Sequence, residues 1–464
     1  MAGTTDAGGA SPAVRYLLCE RRHQAVERAP GQCGTGSVDG SAAHAQHRNS
    51  QCNDTEDRSV FGTRPKSVLC LFWSGMNVDR EDRPIVGIVI GQLTHGGAER
   101  QCFELAKGMC RNGILDPVVF CTSQETEPYG ALLTALGIEW VAAPSGRRRG
   151  IDKLLWLLRA VSKSHCGLLY GMLHTGNVYA GFAALLLRLP FVASIRLASK
   201  PALPVRLSSA FACRRAAVVA SNSPSAARSL ENDIGVRHHP RVVVIPNCVR
   251  AITTSPVARA KIRRKLEIPA DAFVVGTMAN LKAQKRPSFF LAVCEHVHDA
   301  WQQRSATPAL PHFIWLGDGV ERIEVAAALA LMSNDLRSHI HFPGAFLDAD
   351  AYLSAFDAFV LTSAYEGMPN ALLEAMAAGL PCVATDVQGT CDVLNAAPDL
   401  GILADAQDPG KFAEQLIALL ADRERMRVLG DNARSHVREH HSMDQMIKAY
   451  TAVFLEALER RRGH

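Results

Sequence analysis

Two glutamates separated by seven residues, Glu366 and Glu374, flank the segment of this sequence that is best suited to hold a ligand. Between them lies Pro369, which suits the first position of a helix because no N–H is needed there. The N–H groups of the following residues, 370–373, then have no partner inside the helix and carry partial positive charge. We therefore predict that this helix start binds an anion such as a pyrophosphate.

The two carboxylates are predicted to face different parts of one ligand. Glu366 precedes the helix, in the loop 362–368, whereas Glu374 lies about one turn inside it. One carboxylate is placed to accept hydrogen bonds from sugar hydroxyls and the other from ribose hydroxyls. A purely structural alternative is a capping acid followed by a solvated helical glutamate, and the spacing alone does not choose between the two interpretations.

The elements that must position these residues alternate between strands and helices. The β-branched run at 85–90 predicts a buried parallel strand. Further strands are predicted at 117–121, 138–141, 167–170, 191–195, 217–220, 242–245, 273–278, 312–316, 340–342, 358–361 and 381–384. Helices are predicted at 99–110, 151–161, 177–187, 287–297 and 369–378, and the tail 408–458 reads as helical throughout. This alternation is typical of doubly wound α/β sheets.

The chain of 464 residues suits two domains, with a nucleotide in the cleft between them. A turn signal at 246–248 separates a first domain, 81–245, from a second domain, 246–440. The last residues, 441–464, are predicted to form a helix that packs back on the first domain. Residues 1–80 are rich in small and polar residues and are predicted to be a disordered extension, or to precede a natural start at Met76.

Composition narrows the classes of protein. A formal net charge of +5 gives no indication of a nucleic-acid partner. The thirteen cysteines show no paired spacing, which indicates reduced thiols and neither a disulfide framework nor a metal site. No signal peptide and no apolar run of about 18 residues is found. We expect a cytoplasmic protein that needs no metal and no bound cofactor.

The segment 366–386 resembles, almost residue for residue, the Glu-x7-Glu region of glycosyltransferase family 4. The resemblance extends to 245–247, 317–319, 342–344 and 357–363, and covers most of the chain after residue 80. It implies an α/β protein of the GT-B fold, in which two Rossmann-like domains face each other across a cleft. It also implies retaining transfer of a hexose from a nucleotide sugar, such as a UDP- or GDP-hexose, to a glycan or lipid-linked acceptor.

The resemblance also implies roles for residues of the second domain. Glu366 takes the place of the residue that contacts the donor sugar, and Glu374 that of the ribose ligand. The loop and helix start that meet sugar and phosphates are Gly367, Met368, Pro369, Asn370, Ala371, Leu372 and Leu373. Lys285 matches the lysine of a basic pair that neutralises the diphosphate leaving group, but Asn280 stands where the family usually has arginine. A fixed lysine and a helix start would stabilise the leaving group without a metal.

Because Asn280 replaces the expected arginine, Lys285 has more of the charge on the leaving group to stabilise, with help from Lys282 or Arg286. Without the resemblance, the run 282–286 is more typical of a solvated basic loop. We predict catalytic roles for Lys285, Glu366 and His174.

In the first domain, Gly96 and Gly97 resemble the family's glycine pair, whose missing Cβ atoms let the backbone approach a phosphate. The loop is not GxGxxG, which argues against a dehydrogenase. His174 resembles the histidine near the reacting sugar, where it would assist the acceptor. His95 and Arg196 are predicted on the acceptor side. For each of these side chains a structural role remains the alternative.

A basic triplet, Arg147, Arg148 and Arg149, precedes an amphipathic segment at 151–159. Such segments lie on anionic membrane surfaces, so a peripheral membrane contact is predicted, although a loop before a core helix is the alternative.

Three other functions share the expected fold. They are a nucleotide-sugar epimerase, a phosphorylase and a non-catalytic GT-B binding subunit. The close Glu-x7-Glu match argues against the epimerase, and no pyridoxal lysine context is found for the phosphorylase. Asn280 favours the binding subunit, whereas Glu366, Glu374 and Lys285 argue against it.

Overall fold

A computed structural model describes residues 82–145, 150–196, 202–236, 241–304, 309–345 and 349–462, all within one compact unit. The predicted extension 1–80 and the triplet Arg147, Arg148 and Arg149 lie outside the described residues.

The first half contains a seven-stranded parallel sheet in the order β3-β2-β1-β4-β5-β6-β7. Its strands are β1 (Ile85–Ile90), β2 (Asp116–Cys121), β3 (Glu139–Ala142), β4 (Leu168–Gly171), β5 (Phe191–Ile195), β6 (Val218–Ser221) and β7 (Arg241–Val244). Its helices are α1 (Gly97–Asn112), α2 (Tyr129–Ala135), α3 (Gly150–Lys163), α4 (Leu173–Leu187), α5 (Leu203–Arg215) and α6 (Pro224–Asn232).

The second half contains a six-stranded parallel sheet in the order β10-β9-β8-β11-β12-β13. Its strands are β8 (Val274–Met278), β9 (His312–Leu316), β10 (Ile340–Gly344), β11 (Ala358–Leu361), β12 (Cys382–Thr385) and β13 (Ile402–Ala404). Its helices are α7 (Pro256–Lys265), α8 (Pro287–Gln302), α9 (Arg322–Leu331), α10 (Asn334–Ser338), α11 (Ala349–Ala355), α12 (Asn370–Ala377), α13 (Gln388–Leu394), α14 (Pro409–Leu420) and α15 (Arg423–His440). Both sheets follow the Rossmann strand order, with a switch point beside the first strand of each half.

Helices cover both faces of each sheet, which explains the continuous apolar strands. Along β11, Phe359 and Leu361 join one apolar cluster while Ala358 and Val360 join another, because successive side chains point to opposite faces. All four side chains are almost completely buried. The sheet is therefore fixed on two sides, which holds the loops at its carboxyl edge in place.

The last helix, α16 (Met443–Arg462), returns to the first half and packs against α1, β4 and β5. Its Tyr450 hydroxyl lies 3.0 Å from that of Tyr170 on β4, and Phe454 is fully buried. Just before α16, His441 Nδ1 lies 2.9 Å from the carbonyl oxygen of Asn247, and the Val249 N–H donates to the His441 carbonyl at 2.9 Å. The chain thus crosses between the halves twice, at adjoining points. No helix in the described part of the chain has the length and apolar character needed to cross a membrane.

Candidate functional site

A cavity of about 480 Å³ lies between the two sheets. The segments that line it follow the carboxyl ends of strands in both halves, which is where open α/β sheets bind ligands. Of the residues predicted from sequence, the lining includes His95, Gly96, Gly97, Arg196, Asn280, Lys285, Glu366, Gly367, Met368, Pro369, Asn370, Ala371 and Glu374. The fold therefore brings together residues that are far apart in the sequence.

The start of α12 differs in register from the sequence prediction. Pro369 is the N-cap, with an extended backbone, and the helix begins at Asn370. The Leu373 N–H donates to the Pro369 carbonyl at 3.2 Å, so the prediction that this N–H has no helical partner is wrong. Leu372 and Leu373 have fully buried side chains that pack in the core. The N–H groups without an acceptor inside the helix are those of Asn370, Ala371 and Leu372.

Glu366 is 6% exposed and forms an ion pair with Lys285, whose Nζ donates to its Oε1. The Ser363 hydroxyl donates to the same oxygen at 2.6 Å. Because the Lys285 side chain is only 15% exposed, it is not the solvated loop cation that the sequence left as an alternative.

Three hydrogen bonds connect the loop that contains Lys285 to the loop that contains Glu366. The Thr362 hydroxyl donates to the Lys285 carbonyl at 3.0 Å. The Ala364 N–H donates to the Gln284 carbonyl at 2.8 Å, and the Gln284 amide donates to the Tyr365 carbonyl at 2.9 Å. The pair between Lys285 and Glu366 is thus held from both sides before any ligand binds.

Glu374 is also paired. Arg100, on α1 of the first half, donates from Nη1 to Glu374 Oε1 at 2.6 Å. The glutamate is 6% exposed, and Arg100 lines the cavity. Sequence reasoning missed this arginine, although its position directly after Gly96, Gly97, Ala98 and Glu99 was a usable signal.

Asparagines connect the two halves at the floor of the cavity. The Asn370 amide donates to the Gly97 carbonyl at 2.7 Å, and the Asn247 amide donates to Asn370 Oδ1 at 2.7 Å. Arg196 donates to Asn247 Oδ1 and also approaches the Tyr450 hydroxyl. Arg196 therefore orders the floor of the site while it lines the cavity.

The second half approaches the backbone closely at Gly97, so a side chain there would displace the Asn370 amide. A Cβ there would lie 2.8 Å from the Asn370 amide nitrogen, and one at Gly96 would lie 2.1 Å from a Glu99 carboxylate oxygen. Nearby, Asn280 donates to the His95 carbonyl at 3.2 Å. Asn280 therefore connects the halves at the position where a basic residue was expected.

His174 does not contribute to the described lining of the cavity. It lies in the first turn of α4 with Nδ1 2.8 Å from the Ser209 hydroxyl, and its neighbour Leu173 lines the cavity instead. Burial lowers the pKa of both His174 and His95 below the ordinary value, which favours neutral rings at pH 7.

Lys282 also lines the cavity. Burial lowers the pKa of its amine, the charge of Lys285 lowers it further, and the carboxylate of Glu366 opposes both effects. The cavity is thus lined by two lysines and the start of α12, which are positive, and by the carboxylates of Glu366 and Glu374. This combination suits a ligand that carries both phosphates and hydroxyl groups.

Comparison with known proteins gives two family matches. Residues 95–252 match the model described as Glycosyltransferase Family 4, and residues 272–422 match the one described as Glycosyl transferases group 1. Together they cover about two thirds of the chain.

Two curated relatives illustrate the sequence similarity. The lipopolysaccharide core biosynthesis glycosyltransferase LpsD of Rhizobium meliloti is 30% identical over 47% of this chain and 57% of its own length. The UDP-Gal:alpha-D-GlcNAc-diphosphoundecaprenol alpha-1,3-galactosyltransferase of Escherichia coli is 27% identical over 42% of this chain and 49% of its own. The chain spans about half the length of the curated relatives it matches.

Solved structures share the fold. HepE of Anabaena, in complex with UDP and glucose, superposes with a TM-score of 0.68 at 18% identity, covering 80% of this chain and 99% of HepE. Sucrose-phosphate synthase of Thermosynechococcus elongatus gives a TM-score of 0.65 at 17% identity, covering 82% of this chain and 100% of the synthase. The predicted GT-B fold is therefore confirmed.

Proposed function

We propose that this chain, which belongs to the family 4 glycosyltransferases, transfers a hexose from a nucleoside diphosphate sugar to a glycan or lipid-linked acceptor with retention of configuration. The observation that carries the proposal is the juxtaposition of the buried pair Lys285–Glu366 with the start of α12 in one cavity. The names of the relatives, which include lipopolysaccharide and undecaprenol-linked glycan enzymes, support a role in polysaccharide or glycolipid synthesis.

The donor fits the cavity in a defined direction. Its diphosphate would lie over the N–H groups at the start of α12, beside Lys285, with Lys282 supplying a second cation near Asn280. Glu366 would accept hydrogen bonds from the hexose. Glu374 would bind the ribose through Oε2, because Oε1 already accepts from Arg100.

The proposed reaction is a displacement on one face of the sugar. As the bond from the anomeric carbon to the donor phosphate breaks, negative charge grows on the departing diphosphate, and Lys285 and the helix start stabilise it. The acceptor oxygen bonds to the same face of that carbon, and its proton passes to the departing phosphate oxygen. Configuration is retained, and neither a protein nucleophile nor a metal ion takes part in the step.

The histidines belong to the acceptor side of this proposal. His95, in the glycine loop, lines the cavity, and its lowered pKa suits a neutral hydrogen-bonding ring. His174 would have to turn away from Ser209 to reach the sugar. Its role remains a proposal that rests on the resemblance alone.

A panel of UDP-, GDP- and ADP-sugars tests the proposal without knowledge of the acceptor. The full chain should bind a subset of the panel and slowly release nucleotide by hydrolysis, and Lys285→Ala should slow that release. Conversion of the free nucleotide sugar into its epimer would support the epimerase instead. Binding with no turnover in the presence of membrane-extracted acceptors would support the binding subunit.

We also propose that the protein is cytoplasmic and that its first half contacts a membrane peripherally. An apolar face, defined here by exposed side chains on three neighbouring helices, comprises Ile151, Leu155, Phe182, Leu185, Leu186, Leu203 and Leu207. The sequences of α4 and α5 contain no acidic residue, and Arg214 and Arg215 end α5. Apolar side chains beside cations suit an anionic lipid surface. Such a contact would bring a lipid-linked acceptor to the cavity.

A further inference from the structure

A cluster of nitrogen and oxygen ligands lies in the second half, outside the lining of the donor cavity. One ring nitrogen of His298, one ring nitrogen of His339 and a carboxylate oxygen of Asp335 all lie within 4.8 Å of one another. His298 comes from α8, whereas Asp335 and His339 come from α10 and its C-cap. Sequence spacing gave no indication of this cluster, because 37 positions separate His298 from Asp335.

The His298 ring is the buried member of the cluster. It is 4% exposed, and its Nε2 lies 2.9 Å from Asp335 Oδ2. Its other nitrogen, Nδ1, lies 3.5 Å from an Asp299 carboxylate oxygen. A histidine that binds a metal through one nitrogen commonly directs the other to a carboxylate, which fixes the ring. The surroundings of His298 match that arrangement.

A hydrogen bond to the backbone fixes the tautomer of the His339 ring. Its Nδ1 lies 2.8 Å from the backbone carbonyl oxygen of Asp335. Because a carbonyl oxygen can only accept, Nδ1 carries the proton and Nε2 keeps its lone pair. The His339 side chain is partly buried and partly exposed, so an ion from solvent can approach this lone pair.

We propose that His298, Asp335 and His339 form a binding site for a first-row transition metal, with zinc as the best fit. Two imidazoles and one carboxylate suit zinc, whereas magnesium and calcium prefer ligand sets made of oxygen alone. Bonds of about 2.0–2.1 Å place tetrahedral ligand atoms roughly 3.4 Å apart. His298 and Asp335 are already this close, and a ring nitrogen of His339 lies within 4.8 Å of both, so a small shift of the partly exposed His339 side chain supplies the remaining approach.

The zinc ion would join two elements that otherwise meet through side chains. It would connect the carboxyl end of α8 to α10, directly before the edge strand β10. Water would occupy the fourth position, and Gln302, whose amide lies 2.9 Å from Asp335 Oδ2, would hold the carboxylate. The expected consequence is stabilisation of this edge of the sheet, because a ligand that binds only the folded state raises the melting temperature. Sugar transfer does not depend on it.

The test uses the full chain after treatment with EDTA and exchange into chelator-free buffer. Titration with zinc chloride, followed by calorimetry and by thermal unfolding, should show one saturable site that raises Tm. His339→Ala and Asp335→Asn should each weaken zinc affinity at least tenfold and remove the rise in Tm, because each removes one ligand. Asp335 is exposed and His339 is partly exposed, so the fold should tolerate both changes. His298→Ala is avoided because its burial would confuse loss of metal with loss of folding.

His296→Ala is the matched control, because His296 is an exposed histidine of the same helix α8 that lies outside the cluster. It should bind zinc as the unsubstituted chain does. Equal zinc affinity in His339→Ala, Asp335→Asn and the unsubstituted chain would overturn the proposal, as would a zinc titration with no effect on Tm. Nucleotide binding should be unchanged in all variants.

Discussion

Arg100 of the first half donates a 2.6 Å hydrogen bond to Glu374 of the second half, so the carboxylate expected to hold the ribose is already paired with the opposite wall of the cleft. The two side chains are 22% and 8% exposed. An ion pair this sheltered holds the halves together before the donor arrives, and its loss leaves a carboxylate without its partner.

Arg100→Ala should therefore open the cleft in the absence of ligand. We expect a larger radius of gyration by small-angle X-ray scattering and a melting temperature lower by several degrees. Arg322→Ala is the control, because it removes an ion pair to Asp318 in which both side chains are largely exposed. If the two variants scattered alike and unfolded alike, Arg100 would not hold the halves together.

Lys285→Ala should lower the rate of nucleotide release more than it lowers donor affinity. Removing one group that stabilises a developing charge typically costs 10²–10³-fold in rate, or about 3–4 kcal/mol. Lys282→Ala should have a smaller effect, since Lys282 is not paired with Glu366. Stopped-time assays of released nucleotide measure the rates of both variants. Lys411→Ala is the control, because Lys411 is an exposed lysine. A full rate in Lys285→Ala would remove this residue from the mechanism.

Glu374→Ala should weaken donor binding through the ribose. Loss of a hydrogen bond to a charged group costs about 1.5–3 kcal/mol, which corresponds to roughly 10–150-fold in Kd. The sharper measurement compares a nucleotide with its 2′-deoxy form by calorimetry. The unsubstituted chain should discriminate between them and Glu374→Ala should not. Undiminished discrimination in the variant would assign the ribose to another residue.

Leu186→Ser combined with Leu207→Ser should reduce sedimentation with vesicles that contain phosphatidylglycerol. These side chains are 59% and 62% exposed on the apolar face, so the folded state should tolerate both changes. Leu331→Ser is the matched control, because Leu331 is 90% exposed on the second half. Vesicles of phosphatidylcholine alone should bind weakly in every case. Equal sedimentation of the double variant and the control would argue against this surface.

His441 should make stability depend on pH. Burial lowers its pKa from 6.5 to about 4, the Asn247 carbonyl partly opposes this, and His436 and His440 lower it further. Since the unfolded chain takes up the proton first, stability is fully present above about pH 6.5 and falls until about pH 4. At 1.36 kcal/mol per pH unit, the loss is about 2 kcal/mol at pH 5.

His441→Asn keeps a donor for the Asn247 carbonyl but does not titrate. Urea unfolding at pH 7 and pH 5 should therefore show a smaller loss in this variant than in the unsubstituted chain. The same loss in both would place the titrating group elsewhere.

Strands were predictable where a continuous apolar run crosses a buried sheet. Ile85–Ile90, Phe191–Ile195, His312–Leu316 and Ala358–Leu361 have the predicted bounds. Ile402–Ala404 was missed, because three residues are too short to show a period.

Helices without a broad apolar face were also missed. In Pro256–Lys265 only Ile262 and Arg263 are buried, and the helix is defined by its Ser255 cap more than by its hydrophobic pattern.

Within the site, the residues that carry a local motif could be predicted from the sequence, and their partners across the cleft could not. Glu366, Glu374 and Lys285 lie in the cavity where the motif placed them. The partner of Glu374 is 274 positions away, and no local pattern specifies such a contact. His174 lies behind Leu173, because the helix start turns its ring toward α5.

The two crossings of the chain between the halves limit how the cleft can move. The crossings are fastened to each other by the contacts of His441 with Asn247 and Val249. Two chain segments that are hydrogen-bonded side by side resist sliding and separation of the halves. They permit mainly rotation of one half about the line that joins the two crossings. Opening is therefore expected to follow a single arc, in which Gly97 and Asn370 part and meet again in the same register on every cycle.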